Sequence, residues 1–72
     1  MANIKKELGA KLKEGRRIKQ LTQAQVAKMM NMTQQQYSRF ENGVFELSYA
    51  QIVFLCKLYD ISSDYLLGIS DY

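Results

Sequence analysis

One helix-start pattern occurs four times along this chain. Each occurrence places an apolar residue before a Ser or Thr, and a second apolar residue five positions after the first. The Ser or Thr can cap the first turn of a helix, while the two apolar side chains pack across that turn as a hydrophobic staple. The four occurrences are Leu21-Thr22 with Val26, Met32-Thr33 with Tyr37, Leu47-Ser48 with Ile52, and Ile61-Ser62 with Leu66. Four such signals in 72 residues favour a fold built from short helices.

Three of these starts carry a further signal of the same kind. A Gln stands at the third helical position (Gln25, Gln36 and Gln51), from which its side chain can reach back to the N–H of the cap residue. The chain has no proline and only four glycines, too few for the many turns of a β-sandwich. These signals predict an all-α chain with helices near residues 4–19, 23–30, 34–42, 49–59 and 63–67.

The second and third predicted helices are joined by a very short turn. Asn31 is expected to close the second helix in the left-handed conformation, which Asn tolerates better than most residues. Gly43 is expected to end the third helix in the same way. Ala27 is small where the two helix backbones approach each other, and a long side chain there would wedge them apart. Residues from about 22 to 42 are therefore predicted to form a helix-turn-helix.

The size and composition of the chain favour a single domain over residues 1–72 and exclude several functions. With one cysteine, Cys56, and no histidine, the chain lacks the residues for a zinc site, a Ser-His pair or a Cys-His pair. No segment approaches the ~18 consecutive apolar residues of a membrane span, and the Lys-rich start is unlike a signal peptide. We expect a cytoplasmic protein that is not an enzyme and has no metal, cofactor, small-molecule ligand or membrane partner.

Positive charge is concentrated in the first part of the chain. Residues 1–28 contain eight Lys or Arg and two Glu, for a net charge of +6, whereas residues 29–72 have a net charge of −3. This polarity suits a domain that presents one face to a polyanion, although a Lys-rich first helix is just as often only a solvated face.

The third predicted helix has outward positions occupied by amides, a hydroxyl and a guanidinium rather than by ordinary solvating charges. Gln can bond an adenine edge through both its donor and its acceptor, and Arg can bond a guanine edge at two points. Because the capping box engages Gln36, the residues predicted to read DNA bases are Gln34, Gln35, Ser38 and Arg39. The alternative is a Gln-rich surface helix that binds nothing.

These features together resemble the helix-turn-helix regulators of the phage repressor and Cro type, also called the xenobiotic-response-element family. The resemblance extends from about Leu8 to Leu67. Its motifs are Arg16, Leu21-Thr22-Gln23, Val26-Ala27, Met32-Thr33, Phe40-Glu41-Asn42-Gly43 and the segment from Tyr59 to Leu67. It implies a compact five-helix domain of the lambda-repressor-like type that binds a double-stranded DNA operator.

The resemblance also implies roles for individual residues. Bases would face Gln34, Gln35 and Arg39, whereas phosphates would contact Gln23, Thr33 and Asn42. The positions of Arg16 and Glu41 would form an internal ion pair instead of contacting DNA.

Three departures from the family pattern concern the loop after the third helix and two interior positions. Val44-Phe45-Glu46 stands where basic residues are common, so phosphate anchoring is expected to be weaker there. Gly15 replaces an expected apolar residue and lowers the helix propensity of the first helix. Tyr37 is bulkier than the usual branched aliphatic residue, which is expected to change the tilt of the third helix.

The fourth predicted helix is apolar around almost its whole circumference. Such a helix is normally buried on both sides, so its second side is expected to contact another chain. The alternative is that a few apolar residues are simply exposed. The residues predicted to form a protein interface are Phe54, Leu58, Ile69 and Tyr72, the last two in a tail over residues 68–72.

The sequence leaves two functions open. The first is a Cro-like transcriptional regulator that binds an operator as a homodimer, with the third helix in the major groove. The second is a phage genetic-switch modulator, or antirepressor, that forms a heteromeric complex with a repressor protein. The missing cations after the third helix favour the second function, and the base-reading side chains favour the first.

Overall fold

Five helices and no strand form within residues 4–68, the part of the chain that this computed structural model describes. Each helix boundary lies within one residue of its prediction, so the all-α fold and its element order are confirmed. None of these helices has the length and apolar character needed to cross a membrane. The helices are α1 (Ile4–Ile18), α2 (Gln23–Met29), α3 (Gln34–Glu41), α4 (Tyr49–Tyr59) and α5 (Ser63–Leu66).

The helix starts follow the predicted capping pattern. At α2, the Thr22 hydroxyl accepts from the Gln25 backbone N–H at 3.1 Å, and the Gln25 side-chain oxygen accepts from the Thr22 N–H at 2.8 Å. The same reciprocal box forms between Thr33 and Gln36 at α3, and between Ser48 and Gln51 at α4. Every predicted cap is therefore confirmed, because Ser62 also caps α5.

The helix ends share one backbone geometry. Asn31 and Gly43 have φ angles of 58° and 73°, which confirms their predicted left-handed turns after α2 and α3. Gln20 and Asp60 adopt the same conformation after α1 and α4, at 58° and 57°. These two turns were not predicted. Gln disfavours this region, whereas Asp adopts it more readily than most residues.

Replacing Gln20 tests the strain of its left-handed turn. We expect Gln20→Gly to raise the free energy of unfolding by about 0.5–1 kcal/mol, because glycine adopts this φ without a Cβ clash. Lys13→Gly is the control; Lys13 is exposed inside α1, and glycine there should cost about 1 kcal/mol of stability. Both changes can be measured by chemical denaturation. A destabilised Gln20→Gly variant would contradict the expectation.

The core lies between α1 and the other helices. Side chains from every helix converge there, and α1 packs against α3, α4 and α5. Gly9 allows the close approach of α1 to the end of α3, because a Cβ at this position would lie 2.7 Å from the Phe40 carbonyl oxygen. The buried apolar residues are Leu12, Val26, Ala27, Tyr37, Phe40, Leu55, Tyr59 and Leu66.

Two departures from the family pattern are connected by a third residue, Tyr59. A Cβ on Gly15 would lie only 3.0 Å from the Tyr59 Cβ, so the glycine makes room for this tyrosine on α4. The Tyr59 hydroxyl in turn hydrogen-bonds the Tyr37 hydroxyl at 2.5 Å in the core. Burial raises the pKa of Tyr59 to about 12 and also raises the pKa of Tyr37, so both phenols remain protonated.

Candidate nucleic-acid interface

Helix α3 has one buried face and one face in solvent. Tyr37, Phe40 and Glu41 are buried against the rest of the domain. Gln34, Gln35 and Arg39 are exposed, and Ser38 is half-buried at the same surface. The structure therefore brings the four predicted base-reading residues together on one accessible side of a helix.

The single acidic residue of α3 is turned away from that surface. Glu41 accepts from the Arg16 Nε at 2.8 Å and from Nη2 at 3.3 Å, and Arg16 Nη1 also donates to the Leu21 carbonyl at 2.8 Å. Only 13% of the Arg16 side chain and 2% of the Glu41 side chain are exposed. Hydrogen bonding to Glu41 raises the pKa of Arg16. This pair neutralises the acidic side chain of α3 inside the domain.

Gln23, predicted to contact a phosphate, lies next to this ion pair. It is half-buried at the start of α2, and its Nε2 donates to Glu41 Oε1 at 3.1 Å. A side-chain amide has two N–H donors, so one remains for another acceptor. The bond to Glu41 holds the Gln23 side chain in a defined orientation at the edge of α3.

The other two predicted phosphate contacts, Thr33 and Asn42, lie at opposite ends of α3. The Thr33 hydroxyl accepts a bond from the Gln36 N–H at 3.1 Å, which leaves its own proton free to donate. Asn42 is exposed, and its Nδ2 donates to the Ser38 hydroxyl at 3.3 Å. Ser38 then has its proton available for another acceptor.

The loop after α3 is apolar at its surface. Val44 and Phe45 are 59% and 48% exposed. The Arg39 guanidinium lies over the Phe45 ring, with 5.3 Å between its carbon and the ring centroid. Glu46, the acidic residue of this loop, is 3.5 Å from the Lys5 ammonium.

One residue of this surface, Lys28, was not among the predicted DNA contacts. It lines a groove of about 400 Å³ between α2 and the start of α3, together with Thr33 and Gln34. The sequence prediction used Lys28 only as part of the net charge of residues 1–28. Its position in the last turn of α2, close to the tight turn, is the sequence signal that places it beside the start of α3.

Of the four residues predicted to form a protein interface, Phe54 and Leu58 lie within residues 4–68. Phe54 is 38% exposed on α4. Leu58 is half-buried and packs against the core of its own chain, so less of the second face of α4 is exposed than the sequence suggested. Ile69 and Tyr72 lie outside the described residues.

Within residues 4–68, no three His, Cys, Asp or Glu side chains gather as a metal site.

Comparison with known proteins gives matches of two kinds. A helix-turn-helix family model matches residues 12–66, in agreement with an all-α, lambda-repressor-like fold. Over 61 residues the chain is 31% identical to YobD of Bacillus subtilis (strain 168), an uncharacterized HTH-type transcriptional regulator. That match covers 85% of this chain but 54% of YobD, so the chain spans about half the length of this curated relative. No solved structure is significantly similar to the chain.

Proposed function

Because the chain belongs to the Cro/C1-type helix-turn-helix family, we propose that it is a transcriptional regulator that reads a double-stranded DNA operator with α3. The family match and the named relative support a DNA-binding transcriptional regulator. The observation that carries the proposal is the outward face of α3, where Gln34, Gln35, Ser38 and Arg39 are accessible while Glu41 is buried. A helix of this size fits the major groove of B-DNA.

Each exposed side chain of α3 has a target suited to its chemistry. Gln34 and Gln35 carry the paired donor and acceptor that match the N6 and N7 edge of adenine. Arg39 can bond the O6 and N7 atoms of guanine at two points, and the Ser38 hydroxyl can bond several base edges. Specificity arises from these contacts because they touch base edges and not the phosphates.

In the proposed complex, residues at the two ends of α3 and at the start of α2 contact the DNA phosphates. After their bonds within the protein, Gln23 and Asn42 each keep one amide N–H, and Thr33 keeps its hydroxyl proton. Lys28 adds a positive charge beside the start of α3. Contacts of this kind position the protein on the duplex and make binding dependent on salt.

We further propose that two copies bind together through the exposed part of α4. One helix-turn-helix reads only a few base pairs, and a two-fold dimer reads two half-sites about one helical turn, ~34 Å, apart. Phe54 supplies exposed apolar area on α4 for such a contact. Leu58 borders it, and Ile69 and Tyr72 belong to the same proposed interface.

Phe54→Glu tests this dimer. We expect a folded monomer that loses cooperative operator binding and keeps weak contact with a half-site, because a charge replaces the apolar contact. Tyr49→Glu is the control; Tyr49 is 83% exposed at the start of α4 and lies about 140° around the helix from Phe54. Sedimentation of all three proteins measures the assembly. A wild-type chain that stays monomeric at high concentration would contradict the proposed interface.

The second candidate function is the antirepressor. The loop after α3 favours it, because Val44 and Phe45 expose apolar area where a phosphate-binding loop would carry cations. A gel shift with DNA flanking the gene, repeated with any divergently encoded repressor, separates the two functions. A shift by this chain alone supports the operator-binding regulator. Loss of the repressor's own shift when this chain is added supports the antirepressor.

A further inference from the structure

The stacked pair of Arg39 and Phe45 is a local arrangement that the base-reading proposal does not by itself require. Arg39 lies in the last turn of α3, and its guanidinium carbon is 5.3 Å from the Phe45 ring centroid. An Arg at this distance from an aromatic face is attracted by the negative charge of the ring surface. The contact joins a proposed base-reading side chain to a loop residue that the base-reading proposal does not use.

The turn after α3 brings the ring to this place. Gly43 has a φ of 73°, and the Val44 N–H donates to the Arg39 carbonyl at 2.9 Å. These two features reverse the chain directly after the helix, so that Phe45 returns alongside Arg39 in the last turn of α3. The backbone of this turn therefore brings the Phe45 ring within reach of the Arg39 side chain.

The stack restrains Arg39 without using its hydrogen-bond donors. In the described part of the chain Arg39 has no ion pair or hydrogen bond through its side chain, and the neighbouring Glu46 pairs with Lys5. A guanidinium has five N–H donors in its own plane, and a ring against its face leaves those donors free. A carboxylate partner would restrain the same side chain but would occupy the donors needed for guanine.

We propose that Phe45 is a positioning residue for DNA readout by Arg39, an inference that rests on the proposed function. The ring limits the rotamers of Arg39 before binding, so less conformational entropy is lost when the guanidinium bonds a guanine edge. This gives the apolar loop a function in operator recognition that does not depend on phosphate contacts. Phe45 itself touches no base in this scheme.

The test is a double-mutant cycle on the duplex that the wild type selects from a random library. Phe45→Leu removes the ring and should weaken binding about 2- to 5-fold, the range of an exposed cation–π contact. It should also reduce discrimination at the one G·C pair that Arg39→Ala affects. In the Arg39→Ala background the same change should have no effect. Phe45→Tyr should restore wild-type binding, and the control Val44→Ala should not alter it.

Two outcomes would overturn the positioning function of Phe45. Additive losses in the cycle, or equal losses on selected and random DNA, would mean that Phe45 acts independently of Arg39. Nuclear magnetic resonance of the free protein tests the stack separately, because the ring should shift the Arg39 Hδ signals upfield and Phe45→Leu should abolish that shift. A missing shift overturns the stack, whereas a wild type without sequence-specific binding overturns the proposed function and the DNA role of Phe45 with it.

Discussion

Arg16→Ala should lower the free energy of unfolding by about 3–5 kcal/mol, because it leaves the buried Glu41 carboxylate without its cationic partner. The carboxylate would lose both bonds from Arg16 and would keep the Gln23 amide as a neutral donor. Small domains have little stability to lose, so most molecules of this variant are expected to be unfolded near room temperature. Thermal and chemical denaturation measure the change.

Arg17→Ala is the matched control for this experiment. Arg17 is the next residue of α1 and is exposed, so its loss should change stability by less than about 0.5 kcal/mol. A double variant, Arg16→Met with Glu41→Leu, should recover much of the loss, because well-packed apolar residues can replace a buried ion pair. Similar melting temperatures for Arg16→Ala and Arg17→Ala would show that the ion pair does not stabilise the fold.

Gln34→Ala and Gln35→Ala should each weaken binding to the selected duplex by about 1–3 kcal/mol while leaving binding to random DNA nearly unchanged. The reason is that these side chains would bond base edges, whereas nonspecific affinity comes from phosphate contacts. Both residues are exposed and outside the core, so the variants should remain folded. Competition binding at one fixed salt concentration measures the two affinities.

Gln36→Ala separates base reading from helix capping. Gln36 belongs to the same helix, but its side chain accepts from the Thr33 N–H at 2.9 Å in the capping box. Its removal should therefore lower stability while leaving the ratio of specific to random binding unchanged. Equal losses on both DNAs in the Gln34 and Gln35 variants would contradict their assignment to base edges.

Local signals in the sequence were sufficient to predict the helices of this domain. The caps at Thr22, Thr33, Ser48 and Ser62 depend only on residues within one helical turn, and all four form as expected. The left-handed turns after α1 and α4 were not predicted. Gln20 turns left-handed although its residue type disfavours that conformation. The next residue, Leu21, is bonded to Arg16 through both its N–H and its carbonyl.

The tertiary contacts of the site could not be predicted from local pattern. The interval between Arg16 and Glu41 carries no local signal, and their pairing was expected only through family resemblance. The bond between Gln23 and Glu41 and the stack of Arg39 on Phe45 each depend on how separate segments meet. Sequence periodicity identifies which residues face outward. The tertiary contacts decide which hydrogen-bond donors of those residues remain available.

The buried pair of Tyr37 and Tyr59 is a second example of tertiary contacts that local sequence pattern does not predict. The sequence predicted two separate effects, a lower helix propensity at Gly15 and a changed tilt of the third helix at Tyr37. In the fold, Tyr59 packs on Gly15 and hydrogen-bonds Tyr37, so the missing side chain and the larger one belong to one arrangement. Compensation between residues on three helices is not visible in a single sequence.

Selection of bound duplexes from a random DNA library at physiological salt tests the central claim most directly. A regulator that reads DNA with α3 should enrich one motif, with two half-sites ~34 Å apart if it binds as a dimer. Its affinity for that motif should exceed its affinity for random DNA by at least about 10³-fold. A library that remains unenriched, with the same affinity for every duplex, would contradict sequence-specific reading by this helix.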